Sequence, residues 1–359
     1  MNKVLLGDVA EEVRGNYKET DGNPAVVGLE HLIPGEIRLK EWSEDTNKTF
    51  TKAFHKGQVL FGRRRAYLKK AAVASVDGIC SGDITVISAK QDKILPELLP
   101  FVIQNDDFFD FAVGKSAGSL SPRVKWSRLK EYEFNLPSLP QQRKLAKLLW
   151  SFVDAKEAYE DLIHQTDELV KSQFIEMFGD PSKSTESIPF EEAFEIRDDL
   201  RKPLNEVERS QMKGGRMYPY YGANGQVDTI NKYMIDGEAL CLAEDCGAYG
   251  AGEATSYIIQ GKSWVNNHAH VLFPRKECDI AYANAFFRIL DMSEYVSGTT
   301  RLKLTQGKMK EIPIVLPQMS EQKAFAGFVE QSDKSKFELN EAIKDLDAMY
   351  KRIIKDNLG

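Results

Sequence analysis

Between Gln141 and Phe178 the chain runs for thirty-eight residues without a Gly or a Pro. Apolar or long side chains recur there at Leu145, Leu149, Phe152, Lys156, Tyr159, Ile163, Thr166, Val170, Gln173 and Met177. The steps alternate four and three, the period of a coiled-coil seam. The pattern predicts one helix roughly 57 Å long at ~1.5 Å per residue. Pro140 just before it, and Gly179 with Pro181 just after, are stop signals at its two ends.

The same register returns 180 residues later, at Phe325, Val329, Ser332, Lys336, Leu339, Ile343, Leu346, Tyr350 and Ile353. The lead-ins match as well: Leu136-Pro137 corresponds to Leu316-Pro317, Gln142 to Gln322, Glu131 to Glu311 and Gly118 to Gly298. In a chain of 359 residues this offset means one unit written twice. The unit is far too long for a solenoid repeat, so the chain is a pseudo-dimer in one polypeptide. Lys156 and Lys336 are charged positions on the two seams, polar residues of the kind that fix register.

The segments between the seams carry shorter patterns. Val4–Val13 predicts a short helix or a strand–helix entry, and Val26–Leu32 a short strand leading to the Pro34-Gly35 turn. Gly57–Ser75 alternates apolar and polar positions and predicts strands around a loop. Gly78–Ser88 predicts a further strand pair, and Leu95–Phe111 an amphipathic helix. In the second half GEALCL at Gly237 stands 180 residues after GQVLF, NNHAHVLF at Asn266 stands 185 after SGDITVIS, and AYANAFFRIL at Ala281 repeats the helix. The predicted class is α+β. Two similar mixed α/β domains, 1–140 and 188–319, are separated by two long antiparallel helices, 141–178 and 320–357, forming a coiled coil with a pseudo-twofold repeat. A linker, 179–187, follows the first helix.

Composition narrows the class. Hydrophobic residues make up 42%, enough for two cores, and no apolar run is long enough to span a bilayer. No signal peptide pattern opens the chain, and the four cysteines are too unevenly placed for a disulfide framework, so a cytoplasmic protein is expected. The net charge of −6 excludes a polycation that grips phosphates unaided. DNA binding must then come from local patches or be shared with a partner.

Between the matched strands the two halves diverge: FGRRRAYLKK has no sequence counterpart in AEDCGAYGAGE. A shared scaffold with divergent loops suits two binding domains of different specificity, although simple drift after duplication would also produce it. Catalytic signatures are missing: there is no Walker loop, no dinucleotide-binding glycine spacing, no methyltransferase Asn/Asp-Pro-Pro-Tyr and no nucleophile elbow. Cys241, Cys246, His268 and His270 fit no common zinc spacing; no metal site and no catalytic residue is assigned.

Basic and aromatic loops remain. Residues 56–70 hold Lys56, Arg63, Arg64, Arg65, Lys69 and Lys70 with Tyr67 and no acid. Residues 114–130 hold Lys115, Arg123, Lys125, Arg128 and Lys130 beside Ser116. The second half offers Thr300, Arg301 and Lys303, the loop with Tyr220, Tyr221 and Asn224, and the pair Asn266 and Asn267. Arg and Asn can read base edges with two hydrogen bonds, whereas Lys, Ser and Thr suit phosphates. Such runs are more often simply solvated faces.

The passages Ser172–Pro181, Leu136–Leu149 and Leu316–Phe328 resemble the specificity subunit of type I restriction–modification systems. YYGANGQ, WVNNHAHVLF and the FGRRRAYLKKAAVAS…GICSGDI passage resemble that family's target-recognition domains. The resemblance implies a non-catalytic reader of double-stranded DNA whose two target-recognition domains each take half of a bipartite site. It implies two methyltransferase (modification) subunits, which methylate adenine from S-adenosylmethionine bound in them, and endonuclease/translocase (restriction) subunits. This chain itself would bind no cofactor and no membrane. Recognition loops vary within the family, so Arg63, Arg64, Arg65, Tyr67, Lys69, Lys115, Ser116, Arg123, Lys125, Tyr220, Tyr221, Asn224, Asn266, Asn267, Thr300, Arg301 and Lys303 are DNA-contact candidates on chemistry alone. The rival expectation is a coiled-coil adaptor whose globular domains bind proteins.

Overall fold

The computed structural model describes residues 2–16, 24–45, 50–181, 183–184, 186–275, 277–299 and 301–359. They form two compact units, residues 1–160 with 340–359 and residues 161–339. Each unit takes one globular segment and half of each long helix, because the helix ends carry the apolar stripes that complete the globular cores. Among the described residues no helix is long and apolar enough to cross a membrane.

The first unit begins with β1 (Asn2–Leu5), α1 (Leu6–Val9), β2 (Ala10–Glu12), β3 (Gly15–Asn16), β4 (Ala25–Val27) and β5 (Lys52–Phe54). It continues through β6 (Val59–Gly62), β7 (Ala71–Val73), β8 (Gly78–Cys80) and β9 (Ile84–Ala89). Then come α2 (Leu99–Ile103), α3 (Asp106–Gly114), α4 (Trp126–Leu129), β10 (Glu133–Leu136) and the long α5 (Leu139–Phe178). One sheet has the order β2-β9-β6-β7, a second the order β3-β5-β8-β4, and β1 pairs with β10. Consecutive β8 and β9 are therefore not a pair, as their sequence suggests, but lie in different sheets. The predicted helix over Leu95–Phe111 also divides. Gln104 leaves helical geometry, and the buried Asn105 starts α3 by accepting from the Asp107 amide at 3.2 Å.

The second unit repeats the plan with β11 (Ser187–Ile188), α6 (Phe190–Ala193), β12 (Phe194–Ile196), α7 (Glu206–Gln211), β13 (Tyr218–Gly222), β14 (Gly225–Ile230) and β15 (Ile235–Asp236). After these come β16 (Ala239–Ala243), β17 (Ser256–Ile259), β18 (Lys262–Val265), β19 (Ala269–Pro274), α8 (Ile280–Ile289), α9 (Gln306–Met309), β20 (Ile314–Val315) and α10 (Met319–Leu358). Its first sheet, β12-β19-β16-β17, matches β2-β9-β6-β7 strand for strand. The second sheets differ at their edges: β3 extends the β5 side in one copy, and β14 extends the β13 side in the other. The tyrosine-rich stretch expected as a loop is therefore a hairpin. Gly222 pairs with Gly225 across Ala223-Asn224, and Gly225 has φ +120°.

The long helices show where the 3.5-residue pattern gives way. Pro140 lies inside the first turn of α5, where its missing amide costs nothing, so the helix starts earlier than the sequence suggests. In the first unit Leu145, Ala146, Leu149 and Val153 of α5 are buried with Ile354 and Leu358 of α10. In the second unit Phe174 of α5 and Phe325 of α10 are buried against Tyr282 and Phe286 of α8. At the end of α5 the buried residue is Phe174, while the predicted Gln173 and Met177 stay partly or largely exposed. In α10 Ile354 is buried and Ile353 only partly so. The stripe slips by one residue because an α-helix turns every 3.6 residues and drifts off a strict heptad. Within each unit the two helix halves run antiparallel.

A buried glutamine ties each helix start to its own domain. Gln142 Oε1 accepts from the Leu95 amide at 2.9 Å, and its Nε2 donates to the carbonyls of Pro137 (3.0 Å) and Lys93 (3.3 Å). Gln322 does the same with the Asp279 amide (2.8 Å) and the carbonyls of Pro317 (2.7 Å) and Glu277 (2.8 Å).

Candidate nucleic-acid interface

In the first unit the basic residues from two segments meet on one backbone platform. The Arg63 amide donates to the Asp83 carbonyl (2.9 Å), the Val124 amide to the Arg63 carbonyl (3.0 Å) and the Arg65 amide to the Pro122 carbonyl (2.8 Å). Arg123 pairs in turn with Ala117 through both backbone bonds, at 2.9 and 3.0 Å. Arg65 and Lys69 flank a single 3-10 turn, and both adopt left-handed backbone, φ +54° and +51°. Non-glycine residues hold that conformation only where their surroundings impose it, and such strain concentrates at working loops.

The loops contain no acid of their own, but Asp83 reaches into them from the start of β9. Arg123 donates to it from Nε at 2.7 Å and from Nη2 at 3.0 Å. Arg64 Nη1 lies 3.7 Å from the same carboxylate, and Arg64 Nε donates to Ser121 Oγ at 2.6 Å. The Arg123 guanidinium holds Asp83 below the usual carboxylate range, against a smaller opposing effect of burial. Tyr67 is exposed, and Lys69 pairs with Asp106 at 2.5 Å. Lys115 lies over the Phe111 ring, 3.8 Å from Glu131, and Ser116 donates back to the Ala112 carbonyl at 2.8 Å. Lys125 is exposed just ahead of α4.

The second unit puts acids where the first has Arg63 and Arg64 and keeps a cation where the first has Arg123. The Glu244 amide donates to the His268 carbonyl (2.8 Å) and the Leu304 amide to the Glu244 carbonyl (2.7 Å), as Arg63, Asp83 and Val124 do in the first unit. Ser297 and Lys303 pair as Ala117 and Arg123 do. Glu244 thus stands where Arg63 stands, Asp245 where Arg64 stands, His268 where Asp83 stands and Lys303 where Arg123 stands. The stretch without a sequence counterpart is the structural counterpart after all, one residue beyond the 180-residue offset.

Lys303 Nζ lies 2.8 Å from Glu244, which also accepts from Arg201. Asp245 accepts from Arg301 and lies 2.8 Å from His268 Nδ1. Beneath them Asp198 lies 2.8 Å from Nδ1 of the fully buried His270 and 3.1 Å from Arg201, and it accepts from Gln306 at 2.9 Å. Burial pushes the Asp198 carboxyl up, but His270, Arg201 and Gln306 together hold it below its ordinary range. Glu244 is likewise raised by burial and brought lower by Lys303 and Arg201. Both histidines are committed to carboxylates, and among the described residues no group of His, Cys, Asp and Glu is arranged to hold a metal.

The remaining candidates separate. Asn224 is exposed at the hairpin tip, and Asn267 is exposed at the entry to β19. Asn266 is buried, its Oδ1 accepting from the His268 amide at 2.8 Å. Tyr221 stacks half-buried on Tyr257. Tyr220 is a core residue at 1% exposure, and its hydroxyl accepts from the Leu204 amide at 3.0 Å. Strand alternation turns it to the face opposite Tyr221. Thr300 lies outside the described residues. Sequence reasoning missed Asp83, Glu244, Asp245 and Arg201. The SGD triplet opens β9 and the AED triplet closes β16, two strands that the internal repeat already marks, which was the available signal.

The chain thus carries a duplicated α/β framework, with charged loops at one strand end of each copy, together with two long helices. The chain belongs to the type I restriction modification DNA specificity domain family, whose model matches residues 1–165 and again 188–346. It is 32% identical over 137 residues to the putative type I restriction enzyme specificity subunit S.HindORF215P of Haemophilus influenzae, covering 37% of this chain and 34% of that one. It is 28% identical over 145 residues to the type I restriction enzyme EcoDI specificity subunit of Escherichia coli, covering 38% and 31%. The chain thus matches about a third of the length of these curated relatives.

Among solved structures it resembles the type I restriction–modification S subunit of M. genitalium, with a TM-score of 0.59 at 14% identity over 100% of this chain and 96% of that one. It also resembles a chain from a structure on complex assembly and conformational transition of the type I R-M system, with a TM-score of 0.58 at 17% identity over 99% and 97%. These likenesses show the fold.

Proposed function

We propose that this chain is the sequence-reading subunit of a cytoplasmic type I restriction–modification complex acting on double-stranded DNA. Each unit reads one half of a bipartite target, and the helix pair sets the spacing between the halves. Two methyltransferase subunits methylate adenine from S-adenosylmethionine bound in them, and endonuclease/translocase subunits join for cleavage. The chain contributes recognition and no catalytic group of its own.

One observation carries this reading beyond family membership. The same backbone platform occurs twice, but the acids Glu244 and Asp245 stand where Arg63 and Arg64 stand, while Lys303 keeps the positive charge of Arg123. A scaffold that needed those charges for folding would keep them alike, whereas two readers of different sequences need them different. Co-expressing the chain with its modification subunits in a methylation-free host, then mapping methylated adenines, tests it. A two-part motif with a fixed gap is expected; methylation without sequence preference overturns it. The purified chain alone is expected to show no methyl transfer, nuclease or ATPase activity.

A further inference from the structure

The platform of the first unit is more than a basic patch, because one of its arginines is held in a definite pose. A guanidinium has a side edge, formed by Nε and Nη2, and an end edge, formed by Nη1 and the second hydrogen of Nη2. Arg123 spends the side edge on Asp83, at 2.7 and 3.0 Å. Its Nη1 makes one long contact, 3.5 Å from the Ser121 carbonyl. The end edge therefore remains available on a side chain that is 42% exposed, while Asp83 is 20% exposed.

Arg64 is engaged differently: Nε is used on Ser121 and Nη1 is turned toward Asp83. The backbone of Arg123 is pinned by its two bonds to Ala117 and by the bond of the adjacent Val124 amide to the Arg63 carbonyl. A fork held in this way matches the O6 and N7 acceptors of guanine in the major groove, and no other base offers two acceptors there. The corresponding position in the second unit is Lys303, a single charge without the planar fork.

We propose that Arg123, positioned by Asp83, reads a guanine in the half-site taken by the first unit. This assignment rests on the reading of the chain as a DNA specificity subunit. Asp83 is a positioning residue: it fixes the side edge so that only the end edge meets the base.

The test uses the full chain with its modification subunits and compares the methylated motif of the natural protein with those of Arg123→Ala, Arg123→Lys and Asp83→Asn. The natural motif is expected to contain a guanine, on either strand, in the half-site that these variants change. Arg123→Ala is expected to make that one position degenerate. Preference for guanine should fall roughly 5- to 150-fold, the discrimination expected of one two-bonded contact. Arg123→Lys keeps the charge and loses the fork, so it should weaken the same position and leave the remaining motif intact. Asp83→Asn should blur that position as well, a base-by-base readout that a merely structural bridge would not move. If Arg123→Ala yields no folded complex, the lysine and asparagine variants decide the question. A defined motif that keeps its preference in these variants, or a blurred position that is not guanine, overturns the assignment alone. A natural complex without any motif overturns both it and the reading beneath it.

Discussion

Lys336 on α10 reaches across to Asp167 on α5, with Nζ 2.7 Å from Oδ1. The repeat reproduces this bond at Lys156 and Asp347, 3.3 Å apart, each partner displaced by 180 residues. The charged seam positions are thus reciprocal cross-helix pairs, one in each unit. Lys336 is largely buried while Asp167 is half-exposed, so the pair belongs at the upper end of what surface bridges contribute. Lys336→Ala is expected to cost about 1 kcal/mol in urea unfolding. Asp167→Lys should cost more, and Asp167→Lys combined with Lys336→Asp should recover most of the loss. Absence of recovery would mean that the pairing does not set the register.

The glutamine clamps are worth more than the bridges. Gln142 and Gln322 are buried, and each satisfies one backbone amide and two backbone carbonyls. Gln142→Ala is expected to destabilise by about 2–3 kcal/mol, because buried backbone groups lose their partners. Gln322→Ala should behave alike. Gln142→Glu should be as damaging at neutral pH, since a carboxylate cannot donate to the Pro137 and Lys93 carbonyls. Chemical denaturation of the three variants checks the ranking.

Acid should loosen the second unit through Asp198. Its carboxyl is held below the ordinary range, so the ionised form is the one the fold favours. The stability it contributes is fully present above the unfolded value near ~4, and it is lost as pH falls through the lower folded value. Circular dichroism between about pH 5 and 2 should show a steep loss of structure that becomes shallower in Asp198→Asn. That variant should also be less stable at pH 7, by about 1–3 kcal/mol, because the amide turns a donor toward other donors.

The helix pair should act as a ruler. Inserting seven residues after Thr166 and after Leu346 keeps the heptad seam and lengthens each helix by about 10 Å. DNA rises about 3.4 Å per base pair, so the gap in the motif should grow by roughly three base pairs while the half-sites stay unchanged. Three base pairs also turn the second half-site by roughly 100°. Reduced activity with a longer gap is therefore expected, and full activity with an unchanged gap would remove the ruler from the account.

What could be seen in the sequence followed from periodicity. The long helices and their repetition needed only counting, and Gln142 and Gln322 already stood out as a matched pair. The Asn224-Gly225 dipeptide was a hairpin signal that the surrounding tyrosines obscured. Sheet membership of β8 and β9 was not legible, since strand partners are chosen over long separations in the chain. The loop faces were legible in half: Arg64 and Arg123 announced themselves, whereas Asp83 is one acid among many until the fold brings it to them. Tyr220 failed for the opposite reason, because alternation along β13 buries one tyrosine and half-exposes the next.

The exchange of charges between the two platforms also bears on how such genes can recombine. A crossover between the copies, falling between β6 and β9 or between β16 and β19, would bring Arg64 beside His268 in one product. The other product would have Asp245 beside Asp83, two carboxylates in contact range. Each hybrid would lose an attraction and gain crowding between like or unmatched groups. Joints in the long helices meet no such penalty, since Lys156 and Lys336 face aspartates at corresponding places. The two globular segments therefore exchange without that penalty only whole, with the joints in the long helices.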